Sequence, residues 1–187
     1  MTVRARAGDL LIAPPGMIDQ RFQDAVIMLT HSMSRGRFAL CLNKATDYTL
    51  QDILDEVGVD VALNFPLYWG GPMSPGTVWM LHDSEWELGD HTEQINDEWS
   101  MTSNIKMFEA MAQGDYPQHF RMMFGYCSWA PGQLEAELDG RSSGGKKNSW
   151  LVASNPGPEW IYETDVDDLW TAATAICGAQ AVASWLN

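Results

Sequence analysis

Apolar runs rich in β-branched and aromatic residues recur along the chain between turn-forming residues, and they mark most of its elements. GDLLIA (Gly8–Ala13) reads as a buried strand, ended by Pro14-Pro15-Gly16. AVIMLTH (Ala25–His31) and RFALCLN (Arg37–Asn43) are two further strands, and the intervening SMSRG, ending in Gly36, predicts a hairpin. Thr49, with Asp52 three residues later, predicts a capping box on a short helix through Val57, stopped by Gly58. LYWGGPMSPG has loop chemistry, and TVWMLH (Thr77–His82) returns to strand. Asp83 to Glu98 holds seven acids and no Lys or Arg, which predicts a solvated excursion. Ser103 is placed to cap a helix through Ala112, with Gly114 at its end. HFRMMFGYCSW (His119–Trp129) is the longest strand-like run. Gly132–Leu138 then reads as a short helix, RSSGGKKN as a turn and Ser149–Ser154 as a strand, and Asp165 with Asp168 opens a final helix. Strands cluster among helices without regular βαβ alternation, so the expected class is mixed α+β. With no repeat and no linker, the expected organisation is a single domain over 1–187.

Composition fits that picture. Hydrophobic content of 45% against 19% charged residues is that of a globular chain, and 187 residues bury enough surface to need no disulfide or metal. The nine Trp and eleven Met are expected to fill the core. Three scattered cysteines (Cys41, Cys127, Cys177) form no CxxC pair, which fits a reducing, cytoplasmic setting. The four apolar residues before Pro14 are too short a run for a secretory signal. Leu169–Asn187 carries no charge, yet its Thr, Gln, Ser and Ala content predicts a docked helix rather than a membrane span.

Charge narrows the function classes. The net charge is −14, with six Lys/Arg against four Asp/Glu in residues 1–50 and five against twenty-one in the rest. Such a surface repels a phosphate backbone, so direct duplex DNA binding is not expected. It leaves open an acidic nucleic-acid mimic, provided the Asp83–Glu98 carboxylates form a regular row.

Catalytic motifs are sparse. Gly140–Lys146 has the spacing of a phosphate-binding loop, but Lys147 stands where magnesium chemistry needs Ser or Thr, and the flanking elements come in the wrong order. The histidines His31, His82, His91 and His119 show no metal-ligand spacing, and no metal or cofactor is expected. An enzyme reading would use Cys127 as nucleophile with His82 or His119 as base, or Glu135 as general acid/base.

Two clusters depart from ordinary core or loop composition: YWGGPM (Tyr68–Met73) and GYCSWAPGQLE (Gly125–Glu135). Together with LLIAPPGMIDQRFQDAVIMLTH, GRFALCLNK and VWMLH, in that order, they resemble the YqgE/AlgH family of small bacterial proteins, which has plant plastid members. The chain departs from the family pattern at Ala45, where Pro is usual, and at Cys127, Ser128 and Ala130, where Gly and small residues are usual. The resemblance implies a mostly antiparallel sheet curling into a partly closed barrel with helices packed outside. It also implies a label of transcriptional regulator, with no agreed reaction or cofactor. The expected function is therefore a non-catalytic binding or regulatory module acting through a protein or small ligand, away from the membrane. Its candidate surface is Asn43, Lys44, Gly70, Gly71, Pro72, His82, Tyr126, Trp129, Gln133 and Glu135.

Overall fold

The computed structural model describes residues 4–33, 36–60, 62–140 and 150–186. The turn read over RSSGGKKN and the lysines of the phosphate-loop spacing lie outside the described residues, as do Arg35 and Ser149.

The strands are β1 (Leu10–Ile12), β2 (Val26–Met33), β3 (Gly36–Cys41), β4 (Ala45–Thr49), β5 (Pro66–Trp69), β6 (Met73–Asp83), β7 (Thr92–Gln94), β8 (Trp99–Thr102), β9 (Phe120–Trp129) and β10 (Leu151–Ala153). The helices are α1 (Leu50–Val57), α2 (Lys106–Ala112), α3 (Gln133–Leu138), α4 (Pro158–Glu163) and α5 (Leu169–Leu186). The sheet runs β10-β1-β2-β3-β9-β6-β8-β7, with β5 joining β9 and β4 joining β5. Every pairing is antiparallel except β5 with β9.

Alternation along the strands divides the core. Leu10, Ile12, Val26, Met28, Leu40 and Leu42 face one cluster; Leu11, Ala13, Ile27, Leu29, Ala39 and Cys41 face another. The first cluster also takes Met123 of β9, Leu81 of β6, Trp99 and Met101 of β8, and Ala153 of β10. Strands that far apart in the sheet order can share one cluster only if the sheet curls, and it does, into a partly closed antiparallel barrel. Ile161 of α4 with Leu169 and Ala173 of α5 pack into the same cluster, α5 lying against β10, β1 and β2. Leu134 of α3 covers the second cluster, and α1 and α2 cover a third with Leu50, Leu54, Met107 and Met111. The class is α+β, as expected.

β9 is the spine. One edge carries β6; the other carries β5 in its first half and β3 in its second. The bend falls at Gly125, with φ +69°. Before it, Met123 faces the first cluster; after it, Tyr126 does, and Cys127 and Trp129 turn to the second. The one-residue change of parity is what a bulge produces.

Several boundaries differ from the sequence expectation. Asp83–Glu98 is not a plain solvated loop: it contains β7, buries Ile95, and holds Asp83 at 7% exposure. The Asp83 carboxylate accepts the His119 amide at 2.9 Å. Ser103 does not cap α2; its hydroxyl donates to the Val78 carbonyl, and Asn104 accepts the Lys106 amide instead. The Thr49–Asp52 pairing is present, the Asp52 carboxylate accepting from both the amide and the hydroxyl of Thr49. Among the described residues no helix is long and apolar enough to cross a membrane.

Candidate functional site

The GGP turn and the C-terminal half of β9 meet in close backbone contact. Gly70 is wedged between strands: its amide donates to Phe124, and its carbonyl accepts from the Cys41 amide at 2.8 Å and the Cys127 thiol at 3.4 Å. Gly71 lies so close that a Cβ would stand 2.1 Å from the Tyr126 carbonyl carbon. Asn43 and Lys44 fix the loop before β2. The Asn43 side chain accepts the Val26 amide and donates to Asp24, each at 2.8 Å, and the Lys44 ammonium donates to the Gln23 carbonyl.

Pro72, Trp129 and Gln133 stand in a cleft of about 200 Å³ with Arg21, Phe22, Met73, Cys127, Glu137 and Trp150. Glu137, 9% exposed, organises its floor. One carboxylate oxygen accepts the indole N–H of Trp129 at 2.9 Å and of Trp150 at 2.8 Å; the other accepts the Gln133 amide at 3.1 Å. The two indoles meet edge to face, centroids 6.1 Å apart, and Phe22 packs edge-on to Trp150 at 5.7 Å. At the rim Arg21 grips Asp19 with two bonds, of 3.0 and 2.7 Å.

Of the ten residues expected at a shared surface, three line this cleft, and four (Asn43, Lys44, Gly70, Gly71) are outside its lining, engaged in the backbone contacts described above. The other three lie elsewhere. Tyr126 faces the first core cluster, stacked on Phe38 at 4.2 Å. Glu135 pairs with Arg37 of β3 at 2.6 Å, and that hydrogen bond holds its carboxyl below the ordinary value. His82 pairs with Phe120 at the opposite end of β9, roughly 20 Å of strand away. Sequence reasoning missed Phe22, Arg21, Glu137 and Trp150 as cleft residues. A signal for one existed: Glu137 stands four residues after Gln133, on the same helix face.

The side chains named in the enzyme reading are engaged in structure. The Cys127 thiol is 2% exposed, burial raises it well above the usual thiol range, and its hydrogen-bond partner is a carbonyl rather than a histidine. Burial also pushes Cys41 up to about 12. Since the thiolate is the nucleophile, native protein at pH 8 is expected to take up iodoacetamide at neither Cys41 nor Cys127, both reacting only after denaturation; mass spectrometry of the native adduct checks this.

His82 is buried, with Nδ1 2.7 Å from the Asp83 carbonyl and Nε2 3.0 Å from the Thr102 hydroxyl, a pattern the neutral ring satisfies by donating from Nδ1 and accepting at Nε2. Burial holds its pKa below 6.5. The unfolded chain therefore takes up this proton first, and its contribution to stability is full above pH 6.5 and lost as pH falls below it. The urea midpoint is expected to drop between pH 7 and 5, by up to about 1.4 kcal/mol of stability per pH unit. His82→Gln should flatten that slope; an unchanged slope would reject the assignment.

Among the described residues no group of three or more His, Cys, Asp or Glu is placed to hold a metal.

A family model described as AlgH-like matches residues 10–182. The chain belongs to the AlgH-like family. Its AlgH-like relatives include a UPF0301 protein of Paracoccus denitrificans, 33% identical over 177 residues, covering 91% of this chain and 89% of that protein. A UPF0301 protein of Rhizobium rhizogenes is 32% identical over 184 residues, covering 93% and 87%. The solution structure of the AlgH protein from Pseudomonas aeruginosa superposes with a TM-score of 0.75 at 26% identity, covering 95% of this chain and 93% of that one. Protein DIP2367 of Corynebacterium diphtheriae, with a TM-score of 0.70 at 21% identity over 91% of this chain and 86% of its own, shares the fold.

Proposed function

We propose that this AlgH-like protein is a non-catalytic binding or regulatory module that receives a protein or small-ligand partner in the Trp129 cleft, without gripping duplex DNA. The observation that carries this reading is the pair of indoles oriented by one buried carboxylate beneath a recess of about 200 Å³. Rigid aromatic walls with a few fixed polar groups suit an apolar side chain or a small ring compound. Gln133 and the Arg21–Asp19 pair supply polar contacts at its edge. The enzyme reading gains no support: the Cys127 thiol donates to the Gly70 carbonyl, with no histidine bonded to it among the described residues, and Glu135 is held as an anion by Arg37, the reverse of a poised general acid. The mimic reading gains none either, because Asp83 is buried and the other carboxylates of 83–98 are spread over a turn, a short strand and a loop.

Affinity capture from the native host, with mass spectrometry of bound proteins and small molecules, tests the reading when run beside Ser128→Trp and Met73→Asp, which fill and charge the cleft. Retention of a specific partner is expected to fall at least about tenfold in both variants; equal retention on all three baits would sink the idea. On the DNA side, Arg21, Arg37 and Lys44 are tied to oxygen partners and Arg121 is buried. No mobility shift of a duplex is expected at roughly 150 mM salt.

A further inference from the structure

Arg121 of β9 is only 7% exposed, yet it has no carboxylate partner among the described residues. Its guanidinium lies over the Tyr68 ring at 4.7 Å and the Tyr162 ring at 5.5 Å, and its Nη1 donates to the Leu42 carbonyl. Its remaining N–H groups have no partner among the described residues. Arg21 and Arg37, with 60% and 24% of their side chains exposed, each hold a carboxylate at 2.7 and 2.6 Å. These more exposed guanidiniums are thus paired, while the buried one is without a counter-ion among the described residues. Burying an unpaired cation is unfavourable, and here it lowers the affinity of Arg121 for its proton. Cation–π contacts with two rings offset part of that cost.

Arg121 lines a recess of about 350 Å³ where β5 and β9 begin, walled by Phe65, Tyr68, Phe120 and Tyr162, with Gln118 and His119 beside them. We propose that this recess binds a small organic acid, its carboxylate on the Arg121 fork and its apolar body against the aromatic walls. The guanidinium fork matches a planar carboxylate, and the volume is at the small end of ligand sites. A phosphate dianion fits less well. Among the described residues Arg121 is the one arginine or lysine in the wall, and the ring of His119, also in the wall, is 3.4 Å from the Asp83 carboxylate, a negative charge that disfavours a dianion. This site is independent of the Trp129 cleft, which lies toward the other end of β9.

Benzoate is a suitable probe, with benzamide as its neutral isostere and inorganic phosphate as the competing anion. Followed by NMR, benzoate is expected to shift the Arg121 Nε–H and the amides of Gln118, His119 and Tyr162 saturably, with a Kd on the order of 1 mM. Benzamide and the Arg121→Lys variant should bind at least about tenfold more weakly, because neither pair retains the bidentate contact. Gln118→Trp, at an exposed position, should weaken binding by crowding the recess even if Arg121 variants fold poorly. No saturation by about 50 mM benzoate, equal binding of benzamide, or unchanged binding in Gln118→Trp would overturn the proposal. Phosphate binding tighter than benzoate would overturn the carboxylate assignment.

Discussion

Gly125→Ala is expected to cost at least about 3 kcal/mol, enough to remove a large share of a typical domain's stability. Two effects combine at this position. The backbone sits at φ +69°, where a Cβ costs roughly 1 kcal/mol or more. A Cβ there would also stand 2.2 Å from the Gly71 carbonyl oxygen and 3.0 Å from that of Met73. Both are main-chain atoms, so relief requires moving the GGP turn away from β9. That movement strains the Gly70–Phe124 and Gly70–Cys41 hydrogen bonds, each worth about 1 kcal/mol. Gly76→Ala is the matched control: nothing lies within 4 Å of its added Cβ, and a change within about 0.5 kcal/mol is expected. Urea denaturation of the two variants checks the pair. A Gly125→Ala loss below about 1 kcal/mol would mean the turn is not locked against the spine.

The same approach of backbone to backbone explains what the sequence could and could not reveal. The hairpin of β2 and β3 and the length of β9 were legible because alternation and turn residues are local signals. β7 and β8 were not: TEQ and WSMT are short, and the pairing of β8 with β6 and of β7 with β8, rather than propensity, makes them strands. The parity change at Gly125 was hidden because it arises from Gly70–Gly71 docking across more than fifty residues of chain. The family motifs did mark the right neighbourhood, since Pro72, Trp129 and Gln133 share a cleft. His82 was grouped with them because VWMLH is one of the motifs that carry the family resemblance. Along β6, His82 and Met73 are nine residues apart, roughly 30 Å of extended chain. Proximity in a motif list is not proximity along a strand.

Glu137→Leu is expected to cost about 3 kcal/mol and to disorder the cleft, whereas Glu135→Gln should cost less than about 1 kcal/mol. The two acids stand two residues apart on one short helix, yet their surroundings set opposite outcomes. Glu135, 41% exposed, gives one oxygen to a single arginine, and solvent screens part of that attraction. Glu137 points inward and satisfies three donors, two of them buried indoles whose N–H groups have no other acceptor among the described residues. Removing the carboxylate leaves these donors unpaired in an aromatic setting, at about 1–3 kcal/mol each before relaxation. Glu137→Gln keeps one acceptor oxygen but turns an amide N–H₂ toward a donor, so an intermediate loss of about 1–2 kcal/mol is expected. Urea unfolding gives the stabilities, and near-ultraviolet circular dichroism reports the indole environment. If Glu137→Leu left the near-ultraviolet signal and the stability unchanged, the carboxylate would not be what orients Trp129 and Trp150. The cleft would then lose the rigid wall on which its proposed binding role depends.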